Sequence, residues 1–175
     1  MYYITGDTHG GFLRIHAFCE RMETTKDDVM IILGDVGFNF YQDERDTQKK
    51  KHMSEVSITL FCIQGNHEIR PQHFPTYKET EFHGGKVLYE EDYPNILFAV
   101  DGEIYDFDGI RCMVVGGAYS VDKEYRILCG YGWWPDEQPS AATKQLVEEK
   151  LESIGYKIDV MLVSVKPNGG LPERV

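Results

Sequence analysis

Short apolar runs alternate with charged, helix-permissive segments over the first third of the chain. Three runs are short and continuously apolar, which is typical of buried strands: residues 2–5, 29–33 and 57–63. The charged segment 43–55 permits a helix between the second and third runs. After the first run, apolar residues recur at helical spacing: Phe12, Ile15, Phe18, Cys19 and Met22. This β-α-β-α-β order predicts a parallel or mixed sheet with helices packed on its face.

The middle of the chain changes to short strand-like runs separated by turn residues. The runs cover residues 86–89, 96–100, 103–107 and 110–115. The dipeptide Asp108-Gly109 between the last two runs is a hairpin signal. This block predicts a second, largely antiparallel sheet.

The last third predicts one more helix and one more strand. Ser140 is suited to the N-cap of a helix, Gly155 is suited to its end, and residues 159–163 form a further apolar run. The apolar stripe of this helix contains Leu146, Val147, Leu151 and Ile154. Two sheets with helices outside them predict an α/β protein built as a four-layer α-β-β-α sandwich.

A polar cluster follows each of the first three strands. The clusters are Gly6-Asp7-Thr8-His9-Gly10, Gly34-Asp35-Val36-Gly37 and Gly65-Asn66-His67-Glu68. Ligands bind at the carboxyl ends of strands in α/β sheets, so these carboxylate, imidazole and amide groups predict one convergent metal site. Taken singly, each cluster is equally consistent with turn chemistry; their conjunction at three strand ends favours the metal site.

Composition and charge narrow the classes of partner. The chain has 175 residues, enough for one domain, and a net charge of −11. This charge argues against a general nucleic-acid binder, although a bound dication could still attract a phosphate. The basic run Lys49-Lys50-Lys51-His52 follows several acidic residues and favours a solvated helix face. No signal peptide or membrane-length apolar run is present, which predicts a cytoplasmic protein without a membrane partner.

Two other kinds of site fit the sequence less well. Gly6-Asp7-Thr8-His9-Gly10-Gly11 lacks the Lys-Ser/Thr of a phosphate-binding P-loop, and G-x-G-x-x-G is absent. The four cysteines have no C-x-x-C spacing, which argues against a zinc ribbon. Cys19, Cys62 and Cys112 lie in apolar elements and are expected to be buried reduced thiols.

The ordered set of motifs resembles the calcineurin-like metallophosphoesterase family. The resemblance includes the three polar clusters and extends through residues 116–123 and 134–139, which are similar to a bacterial and phage branch of that family. It covers residues 1–162 and implies a metal-dependent hydrolase domain over that range. The implied reaction is hydrolysis of a phosphomonoester or phosphodiester through a metal-bound hydroxide. The implied partner is a phosphoester small molecule or a phosphorylated substrate.

The resemblance also implies a role for each polar residue. Asp35 bridges two cations, Asp7 and His9 complete one side of the first, and Asn66 binds the second. His67 is the catalytic, non-ligating histidine beside the phosphate. The cofactors are two divalent metal ions, and oxygen ligands with imidazole suit Mn, Fe or Zn.

The end of the chain departs from the family pattern. Ser164 stands where a histidine is expected, and no histidine follows His83. Residues 163–175 are therefore expected to be an atypical C-terminal tail after an incomplete domain. Fewer ligands predict one bound metal or none, and doubtful catalytic competence. The alternative hypothesis is a non-catalytic metal-binding or interaction protein derived from the same fold; the oligomeric state is not indicated.

Overall fold

The computed structural model describes residues 1–165, which form two β-sheets and four helices. The first sheet contains, in spatial order, β1 (Tyr2–Thr5), β2 (Val29–Leu33), β3 (Thr59–Ile63), β6 (Ile96–Ala99), β5 (Gly85–Tyr89) and β4 (Lys78–Phe82). The second sheet contains β7 (Ile104–Phe107), β8 (Ile110–Val115) and β9 (Val160–Val163). The helices are α1 (Leu13–Met22), α2 (Glu44–Ser54), α3 (Lys123–Cys129) and α4 (Ala141–Ser153), with a 3₁₀ turn at Pro71–His73.

The first three strands pair in parallel and in sequence order, so the predicted β-α-β-α-β unit is confirmed. Tyr3 lies opposite Met30, and Met30 lies opposite Leu60. β6 continues the parallel part of the sheet beside β3, whereas β5 and β4 add antiparallel strands beyond it. The parallel pairing places the carboxyl ends of β1, β2 and β3 along one edge of the sheet.

One hydrophobic core lies between the first sheet and helices α1 and α2. Helical residues that face the strands include Ile15 and Cys19 of α1 and Met53 of α2. The strands contribute a row of buried side chains: Met30, Ile32, Leu60, Cys62, Ile96 and Phe98. Cys19, Cys62 and Cys112 are buried free thiols, as the sequence predicted.

A second core lies between the two sheets. Phe61 of β3 is fully buried there, and its ring centroid lies 4.8 Å from that of Tyr105 and 5.4 Å from that of Phe107. The alternate residues of β2 and β3 thus face the second sheet, while their neighbours face the helices. Burial on both faces explains why these strands are continuous apolar runs.

The fourth layer is helix α4 beside the second sheet. Ser140 caps it, because the Ser140 hydroxyl accepts a hydrogen bond from the Thr143 backbone N–H at 3.0 Å. Lys150 Nζ lies 3.0 Å from Glu103 Oε1, next to β7. The predicted α-β-β-α sandwich is therefore confirmed, although no residue of α4 is fully buried.

The predicted division of strands between the two sheets was wrong. β5 and β6 belong to the first sheet, and β4, which the sequence did not predict, forms its edge. β9 pairs with β8 in parallel, so the second sheet is mixed and not largely antiparallel. The hairpin at Asp108-Gly109 is confirmed, with both residues at positive φ. Turn signals predict where strands end but not which sheet edge they join.

The predicted solvated face for Lys49-Lys50-Lys51-His52 was wrong for two of the four residues. Lys50 is buried and its Nζ lies 2.6 Å from Glu90 Oε2. Lys49 is partly buried, and its Nζ donates to the Gly37 carbonyl at 3.0 Å. Helix α2 therefore presents basic residues both to the protein interior and to the loop after β2.

No helix within residues 1–165 combines the length and the apolar character needed to cross a membrane. The expected tail, residues 163–175, falls largely outside the described residues, since only its first three positions are described.

Tyr105 links the two sheets, and Tyr105→Phe should lower the free energy of unfolding by about 1–3 kcal/mol. Its buried hydroxyl donates to the Lys86 carbonyl at 2.6 Å and accepts from the Val100 N–H at 2.9 Å. Urea denaturation measures the change. Tyr156→Phe is the control, since Tyr156 is exposed, and it should stay within about 0.5 kcal/mol. Equal stability of the two variants would contradict the linking role.

Candidate metal centre

Backbone hydrogen bonds join the loop after β1 to the loop after β2. The His9 N–H donates to the Asp35 carbonyl at 2.7 Å, and the Gly10 N–H donates to the Val36 carbonyl at 2.9 Å. The Thr8 hydroxyl also donates to the Val36 carbonyl at 2.8 Å. These bonds fix the segment that carries Asp7 and His9 against the segment that carries Asp35.

The loop after β3 is joined to the same segment through two carboxylates. Asp35 Oδ1 accepts the His67 backbone N–H at 2.9 Å. Glu68 is fully buried, and its two oxygens accept the N–H groups of Val36 at 3.2 Å and Gly37 at 3.0 Å. These hydrogen bonds hold the backbone beside Asp35.

Burial raises the pKa of Glu68 to about 7, and the nearby Asp35 charge adds to the increase. The backbone donors of Val36 and Gly37 act in the opposite direction because they favour the charged form.

Three strand-end side chains form a compact group of possible metal ligands. One ligand atom from each of His9, Asp35 and His67 lies within 4.8 Å of the others. His9 Nε2 lies 3.8 Å from Asp35 Oδ2, and His67 Nδ1 lies 3.7 Å from the same oxygen. Asp7 Oδ2 lies 3.8 Å from His9 Nε2, so a second carboxylate borders the group.

Two of these residues hold an uncommon backbone conformation. His9 has φ of 47° and Asp35 has φ of 43°, in the left-handed region that favours glycine. Such conformations persist where the surroundings fix them, and they are frequent at functional sites. Here the hydrogen bonds between the loops provide that constraint.

Asn66 lies in the same loop as His67. Its amide Nδ2 donates to the Ser120 hydroxyl at 2.8 Å, which keeps Oδ1 as the acceptor end of the amide. Ser164 lies at the same sheet edge, since a Cβ added to Gly34 would lie 2.6 Å from Ser164 Cβ. The Ser164 hydroxyl donates to the Gly117 carbonyl at 3.1 Å.

The donor set fits a divalent transition metal. Asp35 is buried, yet its Oδ2 faces two imidazoles instead of a permanent cation. Burial lowers the pKa of His67, which favours the neutral imidazole that metals bind, and the nearby Arg126 acts in the same direction; the Asp35 charge opposes both. Carboxylate with imidazole suits Mn, Fe and Zn alike. His9, Asp35 and His67 thus form the nearest set, Asp7 borders it through His9, and Asn66 precedes His67 in the same loop.

A cavity of about 200 Å³ opens beside this group. Several residues that line it were not among the site residues predicted from the sequence. Its lining beyond His9, Asp35 and His67 consists of Gly37, Phe40, Tyr41, Lys49 and Arg126. Two features of the sequence could have pointed to these residues. Lys49 belongs to the basic run, and Asp122 and Arg126 have the i, i+4 spacing of a helical ion pair. Neither signal by itself indicates which side of its helix faces the site.

The aromatic segment 119–139 lies partly over the cavity wall. The rings of Trp134 and Phe40 meet edge to face with centroids 5.8 Å apart. Glu137 anchors the segment, because its Oε1 accepts the Ser120 N–H at 3.1 Å and its carbonyl accepts the Ala118 N–H at 3.0 Å. The segment also contains helix α3, which the sequence did not predict.

The sandwich fold and the strand-end cluster of carboxylate and imidazole groups define the class of metal-dependent phosphoesterases. The chain belongs to the calcineurin-like phosphoesterase family, whose model matches residues 2–169. The comparisons gave no significant match to a curated protein or to a solved structure. The family membership supports a hydrolase that uses divalent metal ions.

Gly65→Ala should displace the Asp35 carboxylate and lower stability by about 1–3 kcal/mol. A Cβ at Gly65 would overlap the side chain and the backbone nitrogen of Asp35. Urea denaturation and a Mn²⁺ titration measure the two effects. Gly6→Ala is the matched control, because Gly6 precedes Asp7 and has no atom within 4 Å of an added Cβ. Unchanged Mn²⁺ affinity in Gly65→Ala would contradict the claim that metal binding requires Asp35 in its present position against Gly65.

Proposed function

We propose that the protein is a metal-dependent phosphoesterase that hydrolyses a phosphomonoester or phosphodiester at the cluster around Asp35. The observation that carries the proposal is the convergence of His9 and His67 on one buried carboxylate oxygen, at 3.8 and 3.7 Å. The three residues come from three different strand ends, which the register of the parallel sheet brings together.

The proposed ligands are Asp7, His9, Asp35 and Asn66, with Asp35 as the shared ligand. Divalent cations bound by these side chains supply Lewis acidity toward phosphoryl oxygens and lower the pKa of water. Lys49 and Arg126 line the cavity in which the phosphoryl group would lie. His67 is proposed as the residue that holds a proton for the leaving oxygen.

The position of His67 is also consistent with a second role, that of a metal ligand. Its Nδ1 is as close to Asp35 as His9 Nε2 is, so His67 could equally complete the ligand set. If His67 is a ligand, His67→Ala should lose metal. If His67 is a proton donor, the same variant should keep its metal and lose turnover.

Several finer features belong to the proposal. The proposed metal is Mn, Fe or Zn, the cytoplasm is the proposed location, and the proposed partner is a phosphoester small molecule or a phosphorylated substrate. The domain limits, residues 1–162 with a tail at 163–175, and the membership of a bacterial and phage branch stay predictions. A non-catalytic metal-binding protein stays the alternative, and hydrolysis assays separate the two.

Asp35→Asn should weaken Mn²⁺ binding strongly. Loss of a residue that only hydrogen-bonds to a metal ligand typically costs roughly 10- to 100-fold in affinity, and loss of the ligand itself should cost more. The amide keeps the shape of the side chain but loses the charge and one acceptor. Calorimetric titration with MnCl₂ measures the affinity. Asp27→Asn removes the same charge from an exposed position and should bind Mn²⁺ like the wild type. Equal affinities of the two variants would contradict the assignment of Asp35.

His67→Ala should lower turnover of p-nitrophenyl phosphate by about 10²- to 10⁴-fold while metal content stays nearly intact. The reason is that a proton donor contributes to the chemical step and not to metal retention. Elemental analysis and steady-state kinetics on the same preparation measure both quantities. Loss of metal with unchanged turnover per bound ion would make His67 a ligand.

A further inference from the structure

Two adjoining cavities share the wall made by Tyr41 and Lys49. The smaller one, about 200 Å³, is lined by His9, Asp35 and His67 among others. The larger one, about 520 Å³, lies beside it toward helices α1 and α2 and is lined by His16 and His52 among others. The smaller volume lies below the roughly 300–1,000 Å³ usual for small-molecule pockets, so it suits a phosphoryl group with few further atoms. The larger cavity can take the remainder of a substrate.

Two cationic side chains line the smaller cavity although the whole chain carries a net charge of −11. Its lining contains Lys49 and Arg126, and Asp35 is the only carboxylate that lines it within the described chain. Asp122 lies 3.0 Å from Arg126 and Asp46 lies 4.0 Å from Lys49, so the two cations are not free. What they offer an anion is their unused N–H groups, which face the cavity beside the ligands of the proposed metal.

Lys49 is held in place with donors to spare. Its ammonium uses one proton for the Gly37 carbonyl at 3.0 Å and lies 4.7 Å from the centre of the Tyr41 ring. Asp46 Oδ1 is 4.0 Å away, beyond hydrogen-bond distance. The other Asp46 oxygen is committed to the backbone N–H groups of Tyr41 and Gln42, at 2.7 and 2.8 Å. An ammonium has three donors, so Lys49 can still donate to a ligand.

Arg126 is fixed on two sides in a similar way. Its Nε lies 3.0 Å from Asp122 Oδ2, and its Nη1 donates to the Gly132 carbonyl at 2.6 Å. The side chain is only 12% exposed, yet it lines the cavity. Within residues 1–165, no hydrogen bond occupies its Nη2, and that nitrogen is not enclosed by protein. A guanidinium held in this way presents its remaining N–H groups at low entropic cost.

We propose that Lys49 and Arg126 bind the terminal phosphate of the substrate and select a phosphomonoester over a phosphodiester. A monoester dianion has three terminal oxygens and a second negative charge, and two cationic donors beyond the metal ligands match them. A diester has one charge fewer and a second substituent, for which the smaller cavity has little room. The leaving group extends past Tyr41 into the larger cavity. This inference rests on the proposed function and adds the class of substrate.

The first test measures inorganic phosphate binding by the chain loaded with Mn²⁺ and without an ester, so its result is independent of hydrolysis. Phosphate should raise the unfolding temperature relative to sodium chloride of equal ionic strength, because a ligand of the folded state stabilises it. Lys49→Gln and Arg126→Gln keep a hydrogen-bond donor and remove the charge. Each should shift the phosphate dependence to about 10- to 100-fold higher concentration.

Lys51→Gln and Arg21→Gln are matched controls, since both residues are exposed and lie outside the two cavities. Both controls should respond to phosphate like the wild type. No response in the wild type, or the same response in all five proteins, would overturn the proposal. The unfolding temperatures without phosphate show whether any variant is destabilised on its own.

The second test compares p-nitrophenyl phosphate with bis(p-nitrophenyl) phosphate in the presence of MnCl₂. The two esters share a leaving group, so the ratio of their kcat/KM values reports how the phosphate is recognised. The ratio should favour the monoester in the wild type and fall about 10-fold in Lys49→Gln and in Arg126→Gln, but not in the controls. An unchanged ratio with intact hydrolysis would overturn the selection by Lys49 and Arg126. Absence of hydrolysis of both esters by the wild type would contradict the proposed function instead, and phosphate binding would then decide only whether Lys49 and Arg126 form a phosphate site.

Discussion

The parallel register of β1, β2 and β3 is the constraint on which the candidate site depends. It places three loops at one edge of the sheet, and Asp35 then joins them, because its carbonyl accepts from His9 and its Oδ1 accepts from His67. Glu68 completes the arrangement by holding the backbone of the middle loop from within the core. A buried carboxylate without a cation is costly, so a structure that fixes Asp35 between two imidazoles is better explained by a ligand than by stability alone.

The electrostatics of the site differ from those of the whole chain. A net charge of −11 argues against wide nucleic-acid contacts, yet Lys49 and Arg126 face the candidate metal ligands from two different helices. Both cations are restrained by carbonyl oxygens, which lowers the entropy lost when an anion binds. The local field at a small site is set by its few nearest charges and by any bound dication, so net charge is a poor guide to its ligand.

Local sequence pattern predicted elements well and long-range pairing poorly. The apolar run 29–33 coincides with β2, and Ser140 caps α4 as expected. The assignment of β5 and β6 to the second sheet was wrong, because the pattern of a single strand indicates which of its residues are buried but not which strands it pairs with. Lys50 was placed in solvent because its partner, Glu90, lies 40 residues away. The strand-end residues could be named in advance since they directly follow the strands, whereas Arg126 belongs to a helix that the sequence did not predict.

The most direct test of the metal centre is a crystal of the chain grown with MnCl₂ and measured at the manganese absorption edge. Anomalous scattering locates the ion without reference to activity or substrate. We expect a peak within coordination distance, about 2.0–2.2 Å, of Asp35 Oδ2 and of at least one of His9 and His67. A fully occupied manganese peak elsewhere, with Asp35 Oδ2 bound only to water or protein, would contradict the claim that the three strand ends build a metal centre.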